Sequence, residues 1–385
     1  MLDYNQIIAW AKAEEKEIID NRHYLHMHPE LAFKEFETAE YIRKKLTEYG
    51  LTYRTVGTGT IVDIEGGDAP AVALRADIDA LPIKEPEGFE FRSTHDGVMH
   101  ACGHDTHAAM LLGCAKILNE HKAELPGNVR LIFQPAEEGG GGALNMIEAN
   151  CLNGISSIYC LHVGAGRPIG QFATHPGYIH ASSDGYEIRV HGKGCHGASP
   201  QAGIDAMVIA AHTILALQEI VSREISAYDN VVLTIGKIQG GEARNILCEN
   251  VVMHGTLRTV DEKIRQKMHN RMKEVIEGTA KMYRGTGELE FLQCYCSCYN
   301  NETETAYATE LANEMFGKDT VGYIEKTSMG GEDFGFYQQK VPGAKLYIGT
   351  GCTEGIHTPD FRVDEAGLYY GTALLTAIAM KRYAK

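Results

Sequence analysis

The chain has 385 residues, 44% of them hydrophobic, and its 51 Asp and Glu outnumber 36 Lys and Arg to give a formal net charge of −15. Such a length exceeds what one core usually organises, so two domains are expected, and the acidic balance without a basic block excludes nucleic acid as a partner, because that binding depends on cations neutralising phosphates. No uninterrupted apolar run approaches the ~18 residues that a membrane span needs, so no membrane association is expected.

Residues 1–20 intersperse Ile7, Ile8, Ala11, Ile18 and Ile19 with charged residues, the pattern of an amphipathic helix and not of a signal peptide. A cytoplasmic location is the expectation, and with it ten free thiols instead of disulfides. Strands are predicted over 59–65, 71–76, 129–134 and 158–162, with helices over 106–121 and 142–151. This alternation gives an α/β domain with a mainly parallel sheet, whose active site belongs outside the carboxyl ends of the strands. After about residue 181 the rhythm becomes strand 185–191, helix 205–225, strands 230–238 and 250–258, helix 261–284 and strand 288–296. That β-α-β-β-α-β order is ferredoxin-like. From residue 306 the first pattern resumes, with a strand at 345–349, a loop at 351–361 and a helix at 364–381. The expected division is a catalytic domain from 1–180 and 298–385, interrupted by an α+β domain at 181–297. Cys294, Cys296 and Cys298 alternate along Phe291 to Tyr299, so a strand there would put them on one face.

Two stretches carry chemistry. Met99 to His107 packs a thiol, three imidazoles and a carboxylate into nine residues, and Pro135 to Gly140 contains the adjacent Glu137 and Glu138. Thiolate and imidazole suit zinc or another late first-row ion, and paired glutamates can divide metal binding from proton transfer. The reading is a metal-dependent hydrolase. Candidate ligands are Cys102, His104, Glu138, His162 and His357, and a bridging Cys102 would give each of two ions three protein ligands. Spacing does not choose among His100, His104 and His107, and Asp77 and Asp79 are expected behind the ligands.

The chain resembles the metal-dependent amidohydrolases that include N-acyl-amino-acid hydrolases, hippurate hydrolases, auxin-conjugate hydrolases and N-acetyldiaminopimelate deacetylases, in the aminoacylase/carboxypeptidase-like zinc peptidase superfamily. The matching strings are Arg22 to Pro29 (RHYLHMHP), Leu74 to Pro82 (LRADIDALP), Met99 to His107 (MHACGHDTH), Phe133 to Gly140 (FQPAEEGG), Gly192 to Pro200 (GKGCHGASP), Ala243 to Ile246 (ARNI), Gly255 to Arg258 (GTLR) and Gly330 to Phe334 (GGEDF). The resemblance implies a zinc-peptidase-like catalytic domain with an inserted lid and dimerisation domain. It selects Cys102, His104, Glu138, His162 and His357 as ligands of two divalent ions, which zinc, manganese, cobalt or nickel could supply.

The resemblance also implies Glu137 as general base and acid, and His196 as the group polarising the scissile carbonyl, in its own or a partner subunit's site. Asn245 and Arg258 would hold the substrate, and Gly330 and Gly331 would border its carboxylate end. The implied reaction is hydrolysis of N-acyl amino acids by a metal-activated water, releasing a carboxylic acid and a free amino acid. The implied assembly is a homodimer, with a tetramer as the alternative. Two other readings are a metal-dependent dipeptidase or carboxypeptidase and a metal- or peptide-binding module without activity. Cys195, Gln201 and Cys248 depart from the commonest family pattern, in which glycine, histidine and proline are frequent at these places.

Overall fold

The computed structural model describes residues 3–384 and resolves into two compact units. One comprises the chain up to Gly177, Tyr299–Lys326 and the chain from Asp333 onward; the other comprises Tyr178–Cys298 and Thr327–Glu332.

Among the described residues, the first unit holds an eight-stranded sheet. Its spatial order is Tyr53–Val56, Gly59–Ile64, Gly127–Gln134, Ala69–Asp77, Ile155–Gly164, Gly343–Gly349, Phe172–Thr174 and Val321–Tyr323. The four strands from Gly127–Gln134 to Gly343–Gly349 are mutually parallel, while Gly59–Ile64 and Phe172–Thr174 run antiparallel to them on either side. The parallel strands carry near-continuous buried apolar runs, such as Val72 to Leu74 and Leu131 to Phe133. Strands covered on both faces have that composition. The helix His104–Glu120 packs on Ala69–Asp77 and Ile155–Gly164, and against the helices Glu15–Met27 and Leu368–Lys381. The helices Gly142–Glu148 and Phe334–Gln338 pack on each other and on Gly127–Gln134 and Gly343–Gly349 respectively.

The single helix expected over 1–20 is two, Tyr4–Ala13 and Glu15–Met27, and residues 1 and 2 of that expectation lie outside the described residues. Asp3 caps the first by accepting the Asn5 amide. A helix at Phe36–Glu48 was not predicted, although its buried Thr38, Ala39, Ile42 and Leu46 form a helical stripe.

The second unit has a four-stranded antiparallel sheet in the order Thr286–Tyr295, Ser183–His191, Asn250–Thr259 and Val231–Gly240. With the helices Ala206–Glu219 and Glu262–Met282 between its strands, the chain order is the expected β-α-β-β-α-β. Asp205 and Asp261 cap the two helices, each accepting two amide N–H groups. Asp184, Tyr186, Ile188 and Val190 alternate inward along Ser183–His191, so one face of the sheet is covered. The stretch Ala206–Glu224 is long and apolar enough to cross a membrane by composition, but its Ala206, Ile209, Ala210, Leu217 and Ile220 belong to this unit's core. Thr327–Glu332 joins the second unit, whereas all of 298–385 was expected in the first. The reason is local pairing: Ser328 exchanges backbone hydrogen bonds with Ile179 and Ala181, at 3.0 and 2.8 Å.

The ten cysteines form no disulfide among the described residues, and Cys114, Cys151 and Cys160 are buried core residues. The expected one-faced row of Cys294, Cys296 and Cys298 is corrected. The strand ends at Tyr295 and a separate short strand begins at Cys298, so the three do not lie along one continuous strand. No metal-capable cluster among the described residues includes these three.

Candidate metal centre

The four neighbouring parallel strands deliver the site. Ala69–Asp77 ends in Asp77 and leads to Asp79; Gly127–Gln134 leads to Glu137 and Glu138; Ile155–Gly164 carries His162 near its end; Gly343–Gly349 leads into the loop bearing His357. Cys102 and His104 flank Gly103 where the helix His104–Glu120 begins. Gly103 sits at φ +84°, and an added Cβ would lie 2.4 Å from Val163 Cγ2. Only glycine makes this turn without strain.

The structure brings Cys102, His104, Glu138, His162 and His357 together. Cys102 Sγ is 3.5 Å from His162 Nε2 and 3.3 Å from His357 Nε2. Glu138 Oε1 is 3.0 Å from His357 Nε2 and 4.0 Å from His104 Nε2. The donor atoms of Cys102, His104 and His162 lie within 4.8 Å of one another, as do those of Cys102, Glu138 and His357. Cys102 is common to both groups, and Glu137 joins His104 and Glu138 in a third. His357 and Ala136, beside Glu137, have positive φ of 62° and 54°. Such backbone conformations cost energy in non-glycine residues and cluster at functional sites.

The surroundings separate the three histidines that spacing left open. His107 Nδ1 is 2.5 Å from Asp77 Oδ1, and its Nε2 accepts the Val163 amide at 2.9 Å, so both ring nitrogens are engaged. His100 is buried, belongs to none of these donor groups, and burial pushes its pKa down to about 3. His104 is wholly buried with neither ring nitrogen in a hydrogen bond, its Nδ1 lying 3.3 Å from Asp79 Oδ1. Asp79 also accepts the amides of Glu137 and Glu138, at 3.0 and 2.9 Å. It thus orients both glutamates and faces the ligand histidine, as residues behind a metal do.

The electrostatics fit cations. Burial and the nearby Glu138 drive the Cys102 thiol well above its usual pKa. Burial opposes a charged His104, but Asp77, Cys102 and Asp79 outweigh it and raise that pKa. Divalent ions would relieve both, favouring thiolate and neutral imidazole. The orphaned nitrogens of His104 and the orphaned Oε1 of Glu138 gain partners in the same step.

Sequence reasoning missed Glu35. Its buried carboxylate accepts the amides of Phe33 and Ala136 at 2.9 Å each and the Thr58 hydroxyl at 2.7 Å, and burial raises its pKa. It anchors the peptide that precedes Glu137. No local signal marks it, because its partner Ala136 is 101 residues away.

His196, Asn245, Arg258, Gly330 and Gly331 belong to the second unit. His196 is exposed and forms a β-bridge with Ile246, while Gly197 donates to the Asn245 carbonyl at 2.8 Å, so the loops of His196 and Asn245 are joined. Among the described residues the half-buried Arg258 side chain donates to the Leu257 carbonyl alone, at 3.3 Å, and burial lowers its pKa. Gly330 accepts from His180 Nδ1 at 3.1 Å, and a Cβ on Gly331 would lie 3.0 Å from Ser183 and Tyr295.

Residues 73–381 match the family described as Peptidase family M20/M25/M40. The chain is 41% identical over 373 residues to an N-acetylcysteine deacetylase of Bacillus subtilis, covering 96% of this chain and 97% of that protein. It is 38% identical over 372 residues to an IAA-amino acid hydrolase, ILR1-like 5, of Arabidopsis thaliana, covering 94% and 85%. A solved structure from Bacillus subtilis, a dinuclear metal-binding peptidase of the M20 family, superposes with a TM-score of 0.84 at 38% identity, covering 97% and 99% of the two chains. Together with the clustered donors, that likeness supports a centre for two divalent ions. The chain therefore belongs to the peptidase family M20/M25/M40 and is a metal-dependent amidohydrolase.

Proposed function

We propose that this chain hydrolyses the amide of N-acyl amino acids, with Cys102, His104, Glu138, His162 and His357 as the residues that would hold two ions. The carrying observation is the juxtaposition of Glu137 with His104 and Glu138, their carboxylate and imidazole donor atoms within 4.8 Å. A binding module would need the ligands but not a second, adjacent carboxylate.

When bound, the ions polarise the scissile carbonyl and lower the pKa of a water from ~15.7 towards ~7. Glu137 collects the water's proton and returns it to the departing amine. His196 donates to the carbonyl oxygen as negative charge develops there. Arg258, a half-buried guanidinium without an ion-pair partner among the described residues, pairs with the free carboxylate of the amino acid, beside Asn245 and the Gly330 and Gly331 backbone. The products are a carboxylic acid and a free amino acid.

Zinc, manganese, cobalt and nickel can each occupy such a donor set, and the native ion is taken to be one of them. The inserted unit serves as lid and dimerisation domain. Support comes from its edge strand Val231–Gly240, with exposed Val232 and Ile238, and from exposed Met207, Val208 and Leu215 on the helix Ala206–Glu219. A cytoplasmic location accords with ten cysteines that form no disulfide among the described residues.

Replacing Glu137 by Gln tests the assignment: kcat should fall by about 10²–10⁴-fold while both ions stay bound. Near-normal kcat would remove Glu137 from its role. A panel of N-acetyl and N-benzoyl amino acids and dipeptides decides the substrate class, and faster dipeptide cleavage would favour an exopeptidase.

A further inference from the structure

The proposed role of His196 requires a donor N–H, and a neutral imidazole has one, on either nitrogen. The loop settles which. The Ala198 amide donates to His196 Nδ1 at 3.1 Å. A backbone amide can only donate, so Nδ1 must present its lone pair. The turn around this bond is closed twice more. The Ser199 amide donates to the His196 carbonyl at 2.8 Å, and the Cys195 thiol donates to the Ser199 carbonyl at 3.4 Å. Pairing with the neighbouring loop, through Leu247 to the Cys195 carbonyl and Gly197 to the Asn245 carbonyl, each at 2.8 Å, fixes the backbone on both sides of His196.

We propose that the turn His196 to Ser199 holds His196 as its neutral Nε2–H tautomer, with the Ala198 amide as the positioning group. This rests on the reading of His196 as the carbonyl-polarising donor. Nε2 has no partner among the described residues and His196 is exposed, so the N–H is available to a substrate oxygen. Moving the proton to Nδ1 would set two N–H groups against each other and leave a lone pair facing the oxyanion, where it would repel. Cys195, at a place where the family often has glycine, adds a tie to the same turn.

The test is long-range 1H–15N spectroscopy of the zinc-loaded, 15N-histidine-labelled protein, with His196 assigned from the missing signal of His196→Gln. The expected spectrum of the neutral ring has the proton on Nε2 and none on Nδ1. A signal from Nδ1–H overturns the inference, and this measurement needs no variant of the turn. Ala198→Pro, which removes the amide hydrogen, should mix the tautomers and lower kcat about tenfold with KM and metal content unchanged. An unaltered tautomer and kcat in that folded variant would also overturn it. Full kcat in His196→Ala would instead end the polarising role and leave the tautomer assignment standing.

Discussion

Asp79→Asn changes one buried oxygen to NH₂ at nearly constant volume, so its effect can be worked out bond by bond. The carboxylate accepts the Glu137 and Glu138 amides at 3.0 and 2.9 Å and lies 3.3 Å from His104 Nδ1. An asparagine can serve one amide only, because its NH₂ would face the other donor. The loss of one charge-assisted hydrogen bond costs about 1.5–3 kcal/mol. If the freed peptide lets Glu138 drift, that cost appears as roughly 10–100-fold weaker metal binding, the range found when partners of metal ligands are replaced. Competitive titration with a chromophoric chelator, with metal content read by elemental analysis, measures it. Wild-type affinity in a folded Asp79→Asn protein would show that Asp79 does not set the position of the two glutamates.

Gly103→Ala should lose metal and stability together, since φ +84° costs a non-glycine residue about 1–2 kcal/mol before the contact with Val163 is counted; thermal unfolding with retained metal stoichiometry would contradict this. Glu35→Gln keeps acceptors for Phe33 and Ala136 and removes a carboxylate that burial already disfavours in charged form, so it should leave kcat within a few fold, whereas Glu35→Ala frees the peptide before Glu137 and should lower kcat about tenfold or more. Asp184 is desolvated, but hydrogen bonds from His269 and Arg265 and the Arg265 charge bring its pKa to about 2. Such a depressed carboxylate contributes about 2 kcal/mol above its unfolded value near 4, and loses it as pH falls through 2. The stability gap between wild type and Asp184→Asn in urea unfolding should therefore narrow below pH 4; a pH-independent gap would contradict the linkage.

Local pattern carried much of the fold. Apolar runs marked the central parallel strands, and alternating elements marked the second unit. The helix Phe36–Glu48 shows itself in the structure by its buried stripe, and the break at Glu14 lacks the glycine or proline that would mark it in the sequence. In the site, Cys102, His104 and the Glu137–Glu138 pair stand out by adjacency alone. His162 and His357 do not, since each is a lone histidine until the sheet brings strand ends together, and family resemblance was needed to name them. His107 shows the limit most clearly. By spacing it rivals His104, and in the structure its bonds to Asp77 and the Val163 amide set it apart. Such partners lie 30 and 56 residues away, beyond any short-range signal.

Because the donors arrive from three strand ends and the start of one helix, each ion would act as a cross-link among segments that the chain itself leaves distant. Metal uptake and unfolding then share one equilibrium. At a free ion concentration one hundred times the dissociation constant, a single site adds about 2.7 kcal/mol to the folded state, so the melting temperature should climb with the logarithm of free metal and drop when a chelator is added.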